Sequence, residues 1–446
     1  MTVKVLLFVR LMLLALCVVG WVRPLSGQPS SRFPLKVGPD GRHLVDRGGR
    51  PFLVHGDTPW SLTHNLTFEE AVSYMEDRVE KGFTALIVSA PDAYAPDGSH
   101  PDPPDRYGNF PFIAGDITQP DEAYWQNVDR VLKKAEDLGL LVFFFPAYLG
   151  CCDDGYLRLF TENGVEKSRR YGRWIGDRYH GRLNLVWVLG GDRNVEDVRP
   201  IVSAIHEGID ETDPGKLHAV HWAPETDPWA PFGEEWVDLY TAYTYGPVAA
   251  RVAAEYLHLP TKPVILIETN YENDFNRKTA GDVRKYPYRA ILSGAAGDFF
   301  GNKPLWFCGT GWERALDSPG SRYVALAGHF FRSLPWDRLA PDFERRFVVG
   351  GGGDFRSDDG VQAAISREGG LAVAFLPSAR RITVDLAILG GSRLSGWWFS
   401  PMTGRILEAG VESGRGRIEL APPAAGDWVL VIADPTADFL DGWRAE

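Results

Sequence analysis

Two short apolar runs in this 446-residue chain each end in a carboxylate. Val186 to Asp192 reads Val-Trp-Val-Leu-Gly-Gly-Asp, and Val264 to Glu268 reads Val-Ile-Leu-Ile-Glu. Runs of branched and aromatic residues of this length are typical of buried parallel strands. An acid where such a run stops sits at the strand's C-terminal end, which in a barrel of alternating strands and helices is the catalytic face. Two acids placed there by different strands match what glycosidic bond cleavage requires. In retaining enzymes the two carboxyl groups lie about 5–5.5 Å apart, one as nucleophile and one as acid/base. Either acid alone reads equally well as a cap on the following helix. We take Glu268 as nucleophile and Asp192 as acid/base, although spacing alone does not order the roles. Arg193 bears on this assignment, because pairing with Asp192 would lower the pKa of an acid that must hold its proton.

Other side chains at strand ends would line the same mouth. Asp57 and Trp60 follow the first run, His221 and Trp222 the fifth, and Tyr243 and Tyr245 the sixth. Asn270, Tyr271 and Glu272 follow Glu268, and Asn302 and Trp306 follow the last run. Asp57 could accept hydrogen bonds from two sugar hydroxyls, and the aromatic rings could stack on the apolar face of a sugar. Each of these polar groups taken singly also fits a structural role. The 10 His residues include no His-x-His or His-Glu-x-x-His pair, so no metal or other cofactor is expected.

The elements that must position these residues alternate. Strands are expected at Phe52–His55, Leu86–Val88, Leu140–Phe145, Leu185–Leu189, Leu217–His221, Leu239–Tyr243, Val264–Glu268 and Ala296–Phe300. Helices are expected at 121–138, 162–179, 195–212, 248–258, 286–293 and 319–333. Another begins at Thr67, with Glu70 completing a capping box, and stops at Gly82. Alternation of this kind argues for parallel βα units. No Gly-x-Gly-x-x-Gly turn follows the first strand, which disfavours a doubly wound sheet. The expected fold is therefore α/β: a (β/α)8 TIM barrel over 34–340, followed by a small all-β sandwich over 347–436, where short runs separated by turns replace the longer rhythm. The Pro/Asp/Gly-rich stretch 91–120 would lie on the catalytic face and shape the sugar subsite.

The formal charge is −12, and residues 1–27 carry Lys4, Arg10 and Arg23 but no acid. So acidic a surface repels phosphate backbones, and nucleic acid is not an expected partner. Lys4 and Arg10, the apolar stretch Leu11–Val22 and Leu25-Ser26-Gly27 read as a secretory signal peptide over 1–27. A secreted or periplasmic protein without stable membrane insertion after cleavage is the expectation. Beyond this segment three cysteines remain, Cys151, Cys152 and Cys308, at no zinc-like spacing. A bridge from Cys308 to one of the vicinal pair and buried free thiols are both open readings.

Several separate motifs then carry a resemblance. They are His55-Gly56-Asp57-Thr58-Pro59-Trp60, Arg78-Val79-Glu80-Lys81-Gly82-Phe83, Val186 through Asn194, Ile267-Glu268 with Tyr271-Glu272, Ser293-Gly294-Ala295-Ala296-Gly297 and Gly301-Asn302. Together they resemble the apiosidase-like glycoside hydrolases (glycoside hydrolase family 140 and relatives), and the tail resembles a collagen-binding-like β-sandwich domain. The resemblance implies a clan A barrel with its acid/base at Asp192 and its nucleophile at Glu268. Most clan A enzymes carry Asn-Glu where this chain has Gly191-Asp192, and the shorter acid fits the apiosidase-like subgroup. It implies release of a terminal sugar, apiose or another pentofuranose, from a plant or microbial oligo- or polysaccharide. The competing reading is a non-catalytic carbohydrate- or matrix-binding surface protein, which intact acids at both positions argue against.

Overall fold

The computed structural model describes residues 32–97, 103–150, 154–229, 236–390, 393–411 and 416–442. The expected signal segment, Cys151, Cys152 and residues 98–102 of the long loop lie outside the described residues. After a small antiparallel sheet of Lys36–Val37, Leu44–Val45 and Pro51–Phe52 come eight parallel strands. They are β1 (Val54–Asp57), β2 (Ala85–Ser89), β3 (Leu141–Phe145), β4 (Leu185–Gly190), β5 (His218–His221), β6 (Tyr240–Tyr243), β7 (Val264–Glu268) and β8 (Ala295–Phe300). Their order is β5-β4-β3-β2-β1-β8-β7-β6. The seam between β5 and β6 is joined by the Asp238 N–H donating to the His218 carbonyl at 2.9 Å and Thr241 Oγ1 donating to the Val220 carbonyl at 2.6 Å. This is the barrel expected from the alternation.

Helices cover the outside of the barrel. In α1 (Leu62–Asn65) and α2 (Phe68–Glu80) the chain turns off β1, and the Thr67–Glu70 capping box forms as expected. The barrel continues through α3 (Glu122–Asp137), α4 (Leu157–Asn163), α5 (Val165–Tyr179), α6 (Val195–Thr212), α7 (Val248–Leu257), α8 (Ala280–Val283), α9 (Tyr286–Leu292), α10 (Trp312–Ala315) and α11 (Pro319–Arg332). The single helix expected at 162–179 is two, because Gly164 takes φ 82° and breaks the run between α4 and α5. None of the helices among the described residues is long and apolar enough to cross a membrane.

Strand alternation divides the barrel strands between two cores. Ile87, Phe143, Val186, Val188, Ala219 and Ile265 fill the barrel interior. Leu86, Phe144, Trp187, Leu189 and Val220 meet the helices instead.

The C-terminal region is all-β and antiparallel. Strands β9 (Leu339–Pro341), β11 (Gln362–Ser366), β12 (Leu371–Leu376), β14 (Ser395–Phe399), β15 (Ile406–Glu408) and β17 (Trp428–Ala433) form a six-stranded sheet. A second sheet holds β10 (Val348–Gly350), β13 (Ile382–Asp385) and β16 (Arg417–Leu420). Helix α9 seats this sandwich on the barrel. Tyr288 stacks on Phe375 with ring centroids 5.2 Å apart, and Arg284 donates twice to Asp427 at 2.8 and 2.7 Å. Cys308 is a buried free thiol.

Candidate active site

Asp192 reaches the barrel mouth because two glycines precede it. Gly190 takes φ 114°, and a Cβ there would meet the His221 carbonyl oxygen at 2.1 Å. A Cβ on Gly191 would lie 2.7 Å from the Gly150 backbone nitrogen. Only glycine lets the end of β4 pass this closely between the loop after β3 and the end of β5. Glu268 arrives differently. Ile265 and Ile267 point into the barrel, so strict alternation would send Glu268 outward. The β7–β6 register shifts between Leu266 and Glu268, pairing Leu266 with Ala242 but Glu268 with Tyr243. The extra residue on β7 is a bulge that re-aims the carboxylate into the mouth.

The two acids face each other there, each presenting a carboxylate oxygen within 4.8 Å of the other's. The Asp192 side chain is 20% exposed and that of Glu268 10%. His221, fully buried, stands between them, with Nε2 3.2 Å from Glu268 Oε2 and Nδ1 3.2 Å from Asp192 Oδ1, the latter off hydrogen-bond alignment. On the other side runs a chain of hydroxyls. Tyr243 OH lies 2.9 Å from Asp192 Oδ2 and 2.6 Å from Tyr245 OH, and Tyr245 OH donates to Glu268 Oε1 at 3.0 Å.

The electrostatics single out Asp192. Burial and the neighbouring charge of Glu268 push the Asp192 carboxyl up to about 7, with His221 and the Tyr243 hydroxyl pulling the other way. A carboxyl titrating there is protonated in a substantial share of molecules at neutral pH, as a general acid must be. Burial works against charge on His221, but the hydrogen bond to Glu268 and the charge of Asp192 outweigh it and raise its pKa. Arg193 does not pair with Asp192. Its guanidinium donates to the Leu149 and Asp154 carbonyls at 3.4 and 3.1 Å, tying down the loop after β3.

Aromatic side chains build the walls. Trp60 packs edge-on to His221 and donates from Nε1 to Tyr271 OH at 3.1 Å. Trp306 stands edge-on to Tyr94 with centroids 4.8 Å apart, and Tyr94 OH donates to Asp154 at 2.5 Å. Asn270 is buried and supports the wall, donating to the Tyr245 carbonyl at 3.2 Å and accepting from Asn276 at 2.6 Å. Sequence reasoning missed Tyr148, whose ring lies 5.2 Å from that of Trp60 and whose hydroxyl feels the charge of both Asp192 and Glu268. It also missed Tyr94. The available signal was the same as for the others, an aromatic residue a few positions beyond a strand end.

Four expected mouth residues are elsewhere. Asp57 is fully buried on the outer face of β1, accepting from Tyr74 OH at 2.7 Å and Arg78 Nη1 at 3.2 Å. The reason is alternation: His55 and Asp57 share the outward face, and Gly56 takes the inward position against Phe299. Trp222 follows inward-facing His221 and is buried in the core that the outer strand faces share with the helices. Glu272 accepts from Asn302 and Ser318 at 2.6 Å each and from the Gly320 N–H at 3.0 Å, so both Glu272 and Asn302 anchor the start of α11. Of the described residues of the loop 91–120, the beginning around Tyr94 reaches the mouth. Phe112 packs instead against Trp125, Phe160 and Tyr171 of the helix layer.

A (β/α)8 barrel with a facing carboxyl pair at the ends of β4 and β7 is the arrangement of a glycoside hydrolase. The comparisons give the particular family. Residues 38–338 match the family described as apiosidase-like, catalytic domain, and the chain belongs to it. Residues 349–433 match a domain described as "Putative collagen-binding domain of a collagenase". No curated protein matches the chain in sequence. Among solved structures, one titled glycoside hydrolase superposes with a TM-score of 0.79 at 22% identity, covering 92% of this chain and 99% of that one. A glycoside hydrolase family 5 protein from Bacteroides vulgatus superposes with a TM-score of 0.79 at 20% identity, covering 93% and 100%. At these identities the likeness is one of fold.

Proposed function

We propose that this enzyme is a secreted retaining exo-glycosidase that releases a terminal sugar, apiose or another pentofuranose, from a plant or microbial polysaccharide. Glu268 attacks the anomeric carbon and forms the glycosyl ester. The glycosidic C–O bond breaks, and Asp192 gives its proton to the departing oxygen. Esterification removes the charge of Glu268, which after burial is the largest cause that raises the Asp192 pKa. The Asp192 carboxylate therefore becomes easier to keep ionised when it must take a proton from the incoming water. Water then attacks the anomeric carbon, the ester bond breaks, and Glu268 is freed. The observation that carries this reading is the closeness of the two carboxyls, within 4.8 Å, with Asp192 pushed up to about 7. Such proximity supports direct attack by Glu268, since inverting pairs stand about 6.5–9.5 Å apart to admit a water.

Secretion is proposed on Lys4, Arg10 and the apolar stretch that follows. The test uses methyl and nitrophenyl pentofuranosides and pectic oligosaccharides. Glu268→Gln is expected to abolish turnover. Asp192→Asn should lower kcat/KM by about 10²–10⁴ on methyl glycosides, less on nitrophenyl glycosides, whose leaving group needs no proton. Full activity of both folded variants on every substrate would overturn the proposal.

A further inference from the structure

We propose that Phe275 forms a second sugar-binding subsite, a stacking platform for the sugar residue adjoining the one that is cleaved. The loop between β7 and α8 presents this ring to solvent at 66% exposure. One exposed apolar side chain is ordinary on a protein surface. This one differs in its place and in how it is held.

Phe275 stands edge-on to Tyr245, with centroids 5.2 Å apart and planes at 88°. Tyr245 in turn stands edge-on to Tyr243 at 5.3 Å. Three rings thus run in a row from the hydroxyls that bind Asp192 and Glu268 out to solvent. The row continues the wall of the catalytic cleft, and each step advances by about one ring contact. The loop beneath is built to hold that presentation. The Asn273 N–H donates to the Lys278 carbonyl at 2.9 Å, closing the loop at its base. Asn276 donates to Asn270 at 2.6 Å, fixing the loop to the strand end that carries Glu268. Asn273 and Arg277 take φ 63° and 51°, left-handed conformations that non-glycine residues adopt only where surrounding contacts enforce them. Within the loop the Asn276 side chain turns back to Asn270, while the Phe275 ring stays exposed beside Tyr245.

A sugar ring offers an apolar C–H face that stacks on such a platform, while its hydroxyls stay in water. The occupant is therefore the next residue of an oligosaccharide whose terminal sugar lies between Asp192 and Glu268. This inference rests on the glycosidase reading above.

The test compares wild type, Phe275→Ala and Phe275→Trp on two substrates, the methyl glycoside of the released sugar and a pectic oligosaccharide of three or more residues. A methyl leaving group cannot reach the platform, whereas a nitrophenyl group would occupy it. Phe275→Ala is expected to raise KM for the oligosaccharide about tenfold, the loss of one aromatic stacking contact. Its kcat should stay near wild type, kinetics on the methyl glycoside should not change, and Phe275→Trp should restore the oligosaccharide KM. Equal losses on both substrates would make Phe275 a support for Tyr245 and overturn the subsite, as would no change on either. If wild type cleaves neither substrate, the glycosidase reading fails and the subsite falls with it.

Discussion

The hydroxyl of Tyr243 lies 2.6 Å from that of Tyr245, and this contact makes the protonation of the two carboxyls interdependent. Three contacts run in series from Asp192 through Tyr243 and Tyr245 to Glu268, and each needs one proton. The two phenols supply two. When Asp192 is protonated it donates to Tyr243, Tyr243 donates to Tyr245, and Tyr245 donates to the Glu268 carboxylate. When Asp192 is ionised, Tyr243 must turn its proton to Asp192, and the two phenol oxygens are left facing each other without one. The chain is complete when the pair of carboxyls holds one proton, and with that proton on Asp192 it is in the state a general acid needs.

Tyr245→Phe removes this constraint. Tyr243 then donates to ionised Asp192 with no phenol oxygen left facing its own, which lowers the Asp192 pKa. The rate depends on a protonated acid, so the alkaline limb of kcat/KM, near pH 7 in wild type, should move down. The value of one hydrogen bond sets the shift at about one pH unit. A limb that stays in place or moves up would contradict the proton count.

The charge of Glu268 is a second, separable cause of the raised Asp192 pKa. In Glu268→Gln that charge is gone. A carboxyl-carbon NMR titration should show the Asp192 midpoint fall from about 7 toward the ordinary carboxylate range. This is also the change expected on forming the glycosyl ester. An unmoved midpoint would mean that Asp192 does not sense Glu268 and would remove the basis for its switch from acid to base.

Asp192, His221 and Glu268 offer three ligand atoms within 4.8 Å of one another, a spacing that a divalent cation could draw together. His221 already directs each of its nitrogens to a different carboxylate, so a bound cation would have to break one of those contacts. Prolonged treatment with a chelator is therefore expected to leave turnover unchanged. Activity lost to the chelator and regained with one equivalent of zinc would assign these residues to a metal centre.

Asp57 and Arg78 belong to stability rather than to the sugar site. Arg78 is fully buried and also donates to Ser321 Oγ at 2.9 Å and the Leu316 carbonyl at 2.7 Å, joining α2 to the segment that leads into α11. Removing one partner of a buried pair leaves an uncompensated charge, so Arg78→Ala should cost about 3–5 kcal/mol in chemical denaturation at neutral pH. Asp57→Asn should also destabilise, yet leave KM unchanged in the folded enzyme. A raised KM with unchanged stability would return Asp57 to the mouth.

Much of this was legible in the sequence. Eight apolar runs with helical segments between most of them were enough for the barrel, because a strand buried on both sides has to be continuously apolar. The acids stood out as the polar residues that end two such runs. Side-chain direction was harder to read. Asp57 could have been placed by counting, since it is in phase with His55, but a run of four residues gives alternation little to work with. Glu268 would have been misplaced by the same count, because its inward aim depends on a bulge that pairing with β6 imposes. The partners of Arg193 lie on a loop remote in sequence, and no local pattern announces them. Phe275 looked like one more loop residue until the row of rings behind it was visible.

The central claim is double displacement through Glu268 with Asp192 as acid/base, and the configuration of the product tests it most directly. Turnover of a pentofuranoside in buffer containing methanol traps the sugar as its methyl glycoside, which does not mutarotate, and proton NMR reads its anomer. A methyl glycoside of the same configuration as the substrate is the expected result. An inverted product, or hydrolysis with no transfer to methanol and an inverted free sugar at first turnover, would contradict the assignment of Glu268 as nucleophile.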